Sequence, residues 1–416
     1  MARRYVIVSG FQVINNPRVV KEADAIAELG HEVIVLAAIH RAADLPRIDA
    51  MIRDRKWQHV PVVNLTERGL PNRLRGIWLR AMARLMREAG QRFGYQHPMQ
   101  LGYESGSLLR LARKLDADLY SLHLEKALWV GRKLVGDGRA VRIDMEDWYS
   151  EDGLPADQAK RPLAMLRRNE SFLLNNAVHS TTTSGAMAEA LVHAYGCPVP
   201  EVVHNSFPTD ERQAIDGRIL DRRDAGVPSL TWFSQTIGPG RGLELLLQAA
   251  SLIDEPFEIH LRGTPRPGYV EQLLSTQPTD IRQRVHVHPQ VPQESLLSRL
   301  SEHDIGYCGE GSARRNSDLT IANKMFEYMR AGLAIIATDT AGQKEVAKAA
   351  PGAVSVFDQT DASALADSLR PLVADFAFRK RCANAAVTAL EQHFSWEISK
   401  ARLQAQVNGY LETLAP

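Results

Sequence analysis

Only three of the 416 residues are cysteine. Cys197, Cys308 and Cys382 stand far apart and match neither a thiolate metal spacing nor a redox pair, which excludes a disulfide scaffold. They suit a reducing, cytoplasmic setting in which each is a small buried apolar residue. A dominant charge is missing too. The 50 Lys and Arg residues against 49 Asp and Glu leave no global field to draw the chain to nucleic acid or membrane, so any basic surface is local. No stretch reaches the roughly 18 uninterrupted apolar residues of a spanning helix, and the opening MARRYVIVSGF is too short in apolar residues for a signal-peptide core. No glycine-rich dinucleotide fingerprint follows the first strand, which argues against a nicotinamide-dependent dehydrogenase. Short repeats and low-complexity tracts are also lacking. What remains is the composition of a globular enzyme, 44% hydrophobic and 24% charged, at a length that calls for two α/β domains.

The pattern along the chain is β then α, twice over. Tyr5 to Ser9 reads as a strand and Gly10 as its turn; Val19, Val20, Ala23, Ile26 and Ala27 then recur at helical spacing, and Val33 to Ala37 reads as the next strand. This is a βαβ unit of a parallel sheet. The segment from about 40 to 105 is less regular and more basic. Strands are expected at Asp118 to His123, Val141 to Asp144 and Glu201 to Val203. Residues 209–228 are polar and punctuated by Gly217, Gly226 and Pro228, the expected linker between a domain at 1–208 and one at 229–394. The second series has strands at Leu230 to Ser234, Phe257 to Arg262, Val285 to His288, Ile305 to Cys308 and Ala334 to Ala337. The expected fold is two facing Rossmann-like domains with ligands in the crevice between them.

Two motifs carry chemistry. In WFSQTIGPGRG a strand enters a glycine-rich turn, where backbone amides approach phosphate and Arg241 can neutralise it; a tight turn with a solvated arginine has the same pattern. In NKMFEYMRAG the apolar face Met325, Phe326 and Met329 leaves Lys324 and Glu327 elsewhere on the helix, and Gly332 closes it. The free amides at its start suit a diphosphate, and a glutamate one turn in can accept from a ribose diol. An ordinary amphipathic helix would look the same.

Together GPGRGLELLLQAA, LRG at Leu261 to Gly263, HPQVPQESLLSRLSEHDIGY and NKMFEYMRAGLAIIATD resemble the donor-binding half of glycosyltransferase family 4, whose members are retaining enzymes of the GT-B fold. NNPRVVKEADAIAELGHEVIVLA, RIDMEDWYSE and HNSFP resemble the first half of its polysaccharide-assembly branch, and FSWEISKARLQAQVNGYL its terminal helix, which completes the first domain from about 395 to 416. The resemblance spans nearly the whole chain except about 40–105. It implies that Arg241 binds the donor diphosphate and Glu327 the ribose, and that Val291 and Pro292 flank the base. His123 is implied near the transferred sugar. Gln235, Gly238, Gly240, Arg262, Asn323 and Lys324 complete the expected donor set, with His123, Arg241, Lys324 and Glu327 catalytic. Two positions depart from the family: Gln235 stands where an arginine is common, and Leu319 where a second glutamate is common.

Gly10, Arg18, Asp144, Glu146 and Asp147 are the expected acceptor-side residues; paired carboxylates there can bind hydroxyls or act as a base, and a salt-bridged loop is the plain alternative. No metal and no cofactor beyond the nucleotide-sugar co-substrate is expected. The expected activity is sugar transfer from a nucleoside-diphosphate donor to a glycan, lipid-linked or small-molecule acceptor. The alternatives are an inactive binding protein of the same fold and a nucleotide-sugar epimerase. Finally, Arg73 to Arg92 holds six arginines against Glu88 alone, interleaved with Ile77, Trp78, Met82, Leu85 and Met86. Such a helix either packs on its own domain with a basic outer face or lies on an anionic membrane, giving a peripheral location on the inner face.

Overall fold

The structure, a computed structural model, describes residues 2–65 and 69–414, with Pro71 described by its backbone alone. The chain divides into two compact units: one comprises residues 1–183, 187–203 and 400–416, the other 184–186 and 204–399.

The first unit is built on a seven-stranded parallel sheet. Its strands are β1 (Arg4–Ser9), β2 (Glu32–Ile39), β3 (Gln58–Asn64), β4 (Leu119–His123), β5 (Val141–Met145), β6 (His179–Thr182) and β7 (Glu201–Val202), in the order β3-β2-β1-β4-β5-β6-β7. Tyr5, Val6, Ile7 and Val8 are wholly buried, as expected of a parallel strand with helices on both faces. Asn16 starts the Pro17–Glu28 helix, its side chain accepting from the amide of Val19 at 3.2 Å. The order reverses between β1 and β4, so their C-terminal ends open at a switch point. There Gly10 donates to the carbonyl of His123 at 3.1 Å. A Cβ on Gly10 would lie 3.1 Å from Lys126 Cβ and 3.2 Å from Leu124 Cβ, so any larger residue would crowd this approach. The terminal helix Trp396–Thr413 seals this unit through Leu403, Val407 and Leu411, while Gln404 donates to the carbonyl of Ala25 at 2.7 Å.

The second unit repeats the plan with β8 (Ser229–Ile237), β9 (Glu258–Pro265), β10 (Val285–His288), β11 (Ile305–Cys308), β12 (Ala334–Thr338) and β13 (Val354–Phe357), ordered β10-β9-β8-β11-β12-β13. Alternation along β12 feeds two cores. Ile336 joins Leu230, Trp232, Leu247 and Leu369, while Ile335 and Ala337 join Met325, Phe326, Met329 and Phe394. Its switch point lies between β8 and β11.

Some segments depart from expectation. The irregular stretch after residue 40 forms the helix Leu45–Ile52, β3 and the long helix Leu70–Phe93. Residues 209–228 belong to the second unit: the amides of Leu220 and Asp221 donate to Glu302, and Arg222 pairs with Asp304 at 3.0 Å. Polarity alone suggests a linker because these acids and arginines find their partners far away in sequence.

Candidate functional site

In the second unit, β8 runs into the loop Gly238–Gly242 at the switch point, and the helix Leu243–Ala250 begins directly after it. Gly240 and Gly242 both have φ of +73°. Gly242 has a second reason to be glycine, because a Cβ there would lie 2.4 Å from the carbonyl oxygen of Gly309. Tyr307 Oη fixes the loop by donating to the Gly242 carbonyl at 2.8 Å. Arg241 is half-buried and forms no ion pair among the described residues. Gly238 is buried against Arg266, whose Cδ would stand 3.0 Å from an added Cβ. Gln235 is exposed, and its carbonyl accepts from the side chain of Gln290.

The helix Asn323–Ala331 has Ala322 as its N-cap, so no side chain caps its first amides; Asn323 is exposed and Gly332 ends the helix at φ +79°. Lys324 forms an ion pair with Glu310, just beyond β11, and its Nζ lies 5.7 Å from the Trp232 ring centroid. Glu310 Oε2 is buried with no hydrogen-bond partner among the described residues. Glu327 is also buried; it pairs with Arg330 one turn later and accepts from Gln293 at 3.4 Å. Both ends of the expected phosphate–ribose pair are therefore held by protein ions. Arg262 departs further, because its guanidinium pairs with Asp221 and donates to the carbonyl of Pro289 at 2.7 Å. It is a strut rather than an open ligand. Val291 is half-buried, and Pro292 is exposed as the N-cap of the helix Gln293–Leu300.

In the first unit, Ser9, His123, Asp144 and Thr181 lie in one row across four strands. Arg18 clasps Asp144 with two hydrogen bonds, of 2.6 and 2.9 Å, and donates to the Val203 carbonyl at 2.8 Å. Beside this pair sits a second one that the sequence did not reveal. Arg142 donates to Glu22 at 2.6 Å, to Ser121 at 2.8 Å and to Thr181 at 2.9 Å, and Tyr5 Oη donates to Glu22 at 2.8 Å. His123 lies between the pairs, 3.1 Å from Glu22 and 3.6 Å from Asp144. Burial opposes its protonation, but Glu22 and Asp144 outweigh that and hold the imidazole above its ordinary pKa. The ring has no exposed surface: where the resemblance implies a histidine near the transferred sugar, His123 is enclosed between the two carboxylates. Next to it the backbone of Leu124 has φ of +69°, a costly conformation for a branched side chain.

Partly buried Glu146 accepts from Asn16 at 3.3 Å. Burial, reinforced by Asp144 and Asp147 and opposed by His123 and Arg18, pushes its carboxyl up to about 7. Asp147 is likewise partly buried beside it. Glu146 is thus the carboxyl of this cluster that exchanges a proton near neutrality.

Among the described residues, two groups of side chains could geometrically gather a cation: Glu22, His123 and Asp144, and Glu258, His260 and His286. In the first, both carboxylates already hold a guanidinium, which disfavours a dication. In the second, burial pushes His260 down to about 4, so the ring is neutral. Glu258 there accepts the amides of Arg223 at 3.1 Å and Asp224 at 2.9 Å as well as His260 at 3.0 Å, which completes it as a hydrogen-bonded set.

Two doubly wound units with a glycine-loop switch point define the GT-B class of α/β proteins, and the solved structures agree. HepE from Anabaena, in complex with UDP, superposes with a TM-score of 0.68 at 16% identity, covering 100% of each chain. A sucrose-phosphate synthase from Thermosynechococcus elongatus gives 0.67 at 15% identity, covering 99% of this chain and 100% of the other. A UDP-forming α,α-trehalose-phosphate synthase from Burkholderia xenovorans gives 0.67 at 13%, again covering 100% of each. No curated protein sequence matches the chain. Residues 228–375 match the family model described as Glycosyl transferases group 1. That stretch lies within the second unit and is similar to the group 1 glycosyltransferases, in keeping with the resemblance of its motifs to glycosyltransferase family 4.

Proposed function

We propose that the protein transfers a sugar from a nucleoside-diphosphate donor to a glycan, lipid-linked or small-molecule acceptor, with retention and without a metal ion. The observation that carries this reading is the unpaired Arg241 in the glycine loop at the second unit's switch point. Arg241 and the loop amides receive the diphosphate, and the uncapped helix at Asn323 adds its positive end. Lys324 exchanges Glu310 for phosphate when the donor binds. These cations offset the charge that grows on the departing diphosphate, where most of the rate acceleration arises. Glu327, turned from Gln293 and paired with Arg330, accepts from the ribose. In the first unit Gly10, Arg18, Asp144 and Asp147 shape the acceptor side, Glu146 takes up its proton, and His123 positions Asp144 rather than touching sugar. HepE has been crystallised with UDP-glucose, which makes uridine diphosphate sugars the first donors to try.

A second reading is a nucleotide- or carbohydrate-binding protein without turnover. The engaged Lys324 and Glu327, with Gln235 and Leu319 at the two departing positions, favour it. Incubation with a panel of nucleotide sugars, with and without polyprenyl-phosphate sugar or oligosaccharide acceptors, separates the two. Acceptor-dependent release of nucleoside diphosphate supports transfer; binding without release from any donor supports the second reading.

A further inference from the structure

The helix Leu70–Phe93 has its faces reversed from the usual arrangement. Its buried line is small: Gly76, Leu79 and Ala83 face inward. Further along, Gly90 lies so close to Gln100 that a Cβ would be 1.8 Å from Nε2. Gln100 pins the helix by donating to the carbonyl of Met86 at 2.9 Å. The large apolar residues point the other way. Leu70, Leu74, Ile77, Trp78 and Leu85 are each between 52% and 69% exposed. At about 100° per residue they share a stripe roughly 100° wide. Folding of the unit gains nothing from such an outward stripe, so its occupant lies outside the chain.

The charges beside the stripe identify that occupant. Arg73, Arg80, Arg84 and Arg87 run along one flank and Arg75 along the other, all exposed, with Arg92 at the end. Glu88 is the one acid of the stretch, and it pairs with Arg84 at 3.0 Å. The whole chain carries a net charge of only +1, so this face concentrates positive charge that the rest of the surface balances. A second copy offering the same face would set arginine against arginine. We infer that this face docks on an anionic lipid bilayer, with the stripe at the headgroup–acyl boundary, the arginines on lipid phosphates and Trp78 at headgroup depth. No helix among the described residues is long and apolar enough to cross a membrane, so this attachment is peripheral and sensitive to salt.

The inference stands apart from the transfer reaction, because its readout needs lipid alone. The full chain is co-sedimented with phosphatidylcholine vesicles, with or without phosphatidylglycerol, at low and high salt. Expected is binding to the anionic vesicles only, weakened by salt. Arg73→Gln with Arg87→Gln should reduce that binding about 25-fold, near fivefold per arginine. Leu74→Ser with Trp78→Ser should abolish it while keeping the wild-type thermal midpoint, since both side chains are exposed. Equal binding to both lipids or binding to neither would overturn the inference. So would a wild-type dimer in analytical ultracentrifugation that the Leu74→Ser and Trp78→Ser pair dissociates.

Discussion

Replacing Arg142 by methionine probes the buried ion network of the first unit. The arginine has no exposed surface, and its side-chain partners Glu22, Ser121, Thr181 and Tyr5 lie at 2.6, 2.8, 2.9 and 3.4 Å. Methionine fills much of the volume but leaves Glu22 without its guanidinium. Removing one partner of a buried ion pair costs about 3–5 kcal/mol, because the other charge stays enclosed. For a unit of roughly 200 residues each kcal/mol lowers the midpoint by about 2–4 °C, so the first unit should melt about 6–20 °C earlier. The deficit should depend on pH. Burial raises the Glu22 pKa, but Arg142, helped by His123, outweighs that and holds the carboxyl well below its usual range. In the native protein this stabilises the fold above the ordinary carboxylate pKa and fades as pH falls through the lower folded value. Without Arg142, burial dominates and the folded value rises. The variant is then worst at pH 8 and recovers toward pH 5, where a neutral Glu22 needs no cation. Differential scanning calorimetry of both proteins at the two pH values reads this directly. A drop below about 2 °C, or one equal at both pH values, would show that Arg142 does not offset a buried charge on Glu22.

Two further outcomes follow from the sites. Glu146 has a folded pKa of about 7, above its ordinary value, so its contribution favours the fold below about 4.5 and is lost as pH rises through 7. Glu146→Gln should therefore be more stable than wild type at pH 8, by at most about 3 kcal/mol for a partly buried carboxyl, and indistinguishable at pH 4.5 in urea unfolding. A pH-independent difference would remove Glu146 from the titrating group. Gly242→Ala forces a Cβ to 2.4 Å from the Gly309 carbonyl oxygen at φ +73°, so the second unit should lose more than the roughly 1–2 kcal/mol of the backbone term alone. A thermal midpoint unchanged from wild type would contradict that packing.

The sheet strands were legible where apolar runs were nearly continuous, as in Tyr5 to Ser9 and Ala334 to Ala337, because burial on both faces leaves little room for polar residues. β6 was missed for the opposite reason. His179, Ser180, Thr181 and Thr182 show no apolar pattern, yet both threonines are wholly buried because Thr181 accepts from Arg142 and Thr182 donates to the Met145 carbonyl. β3 carries Pro61, which an edge strand tolerates. The glycine loop and the Asn323–Ala331 helix could be read from turn chemistry and period. The ion network could not, because Arg142 and Glu22 look like surface charges until their partners, far away in sequence, are brought together. Two signals were available: Arg142 and Asp144 alternate on one face of a buried strand, and Arg18 and Glu22 are one helical turn apart. The apolar residues among the arginines of 73–92 were legible as well, but not their outward direction, since periodicity shows that a face is apolar and not which way it points.

The proposed function turns on the Gly238–Gly242 loop, with Arg241, receiving the donor diphosphate. Titration calorimetry of UDP, then of other nucleoside diphosphates, into wild type and Arg241→Ala tests it most directly. A charge-assisted contact contributes about 1.5–3 kcal/mol, so a nucleotide that binds the wild type should bind the variant about 10- to 150-fold more weakly, with the thermal midpoint of the free variant unchanged. Equal affinity in the folded variant, or no binding of any nucleoside diphosphate to the wild type, would contradict that role.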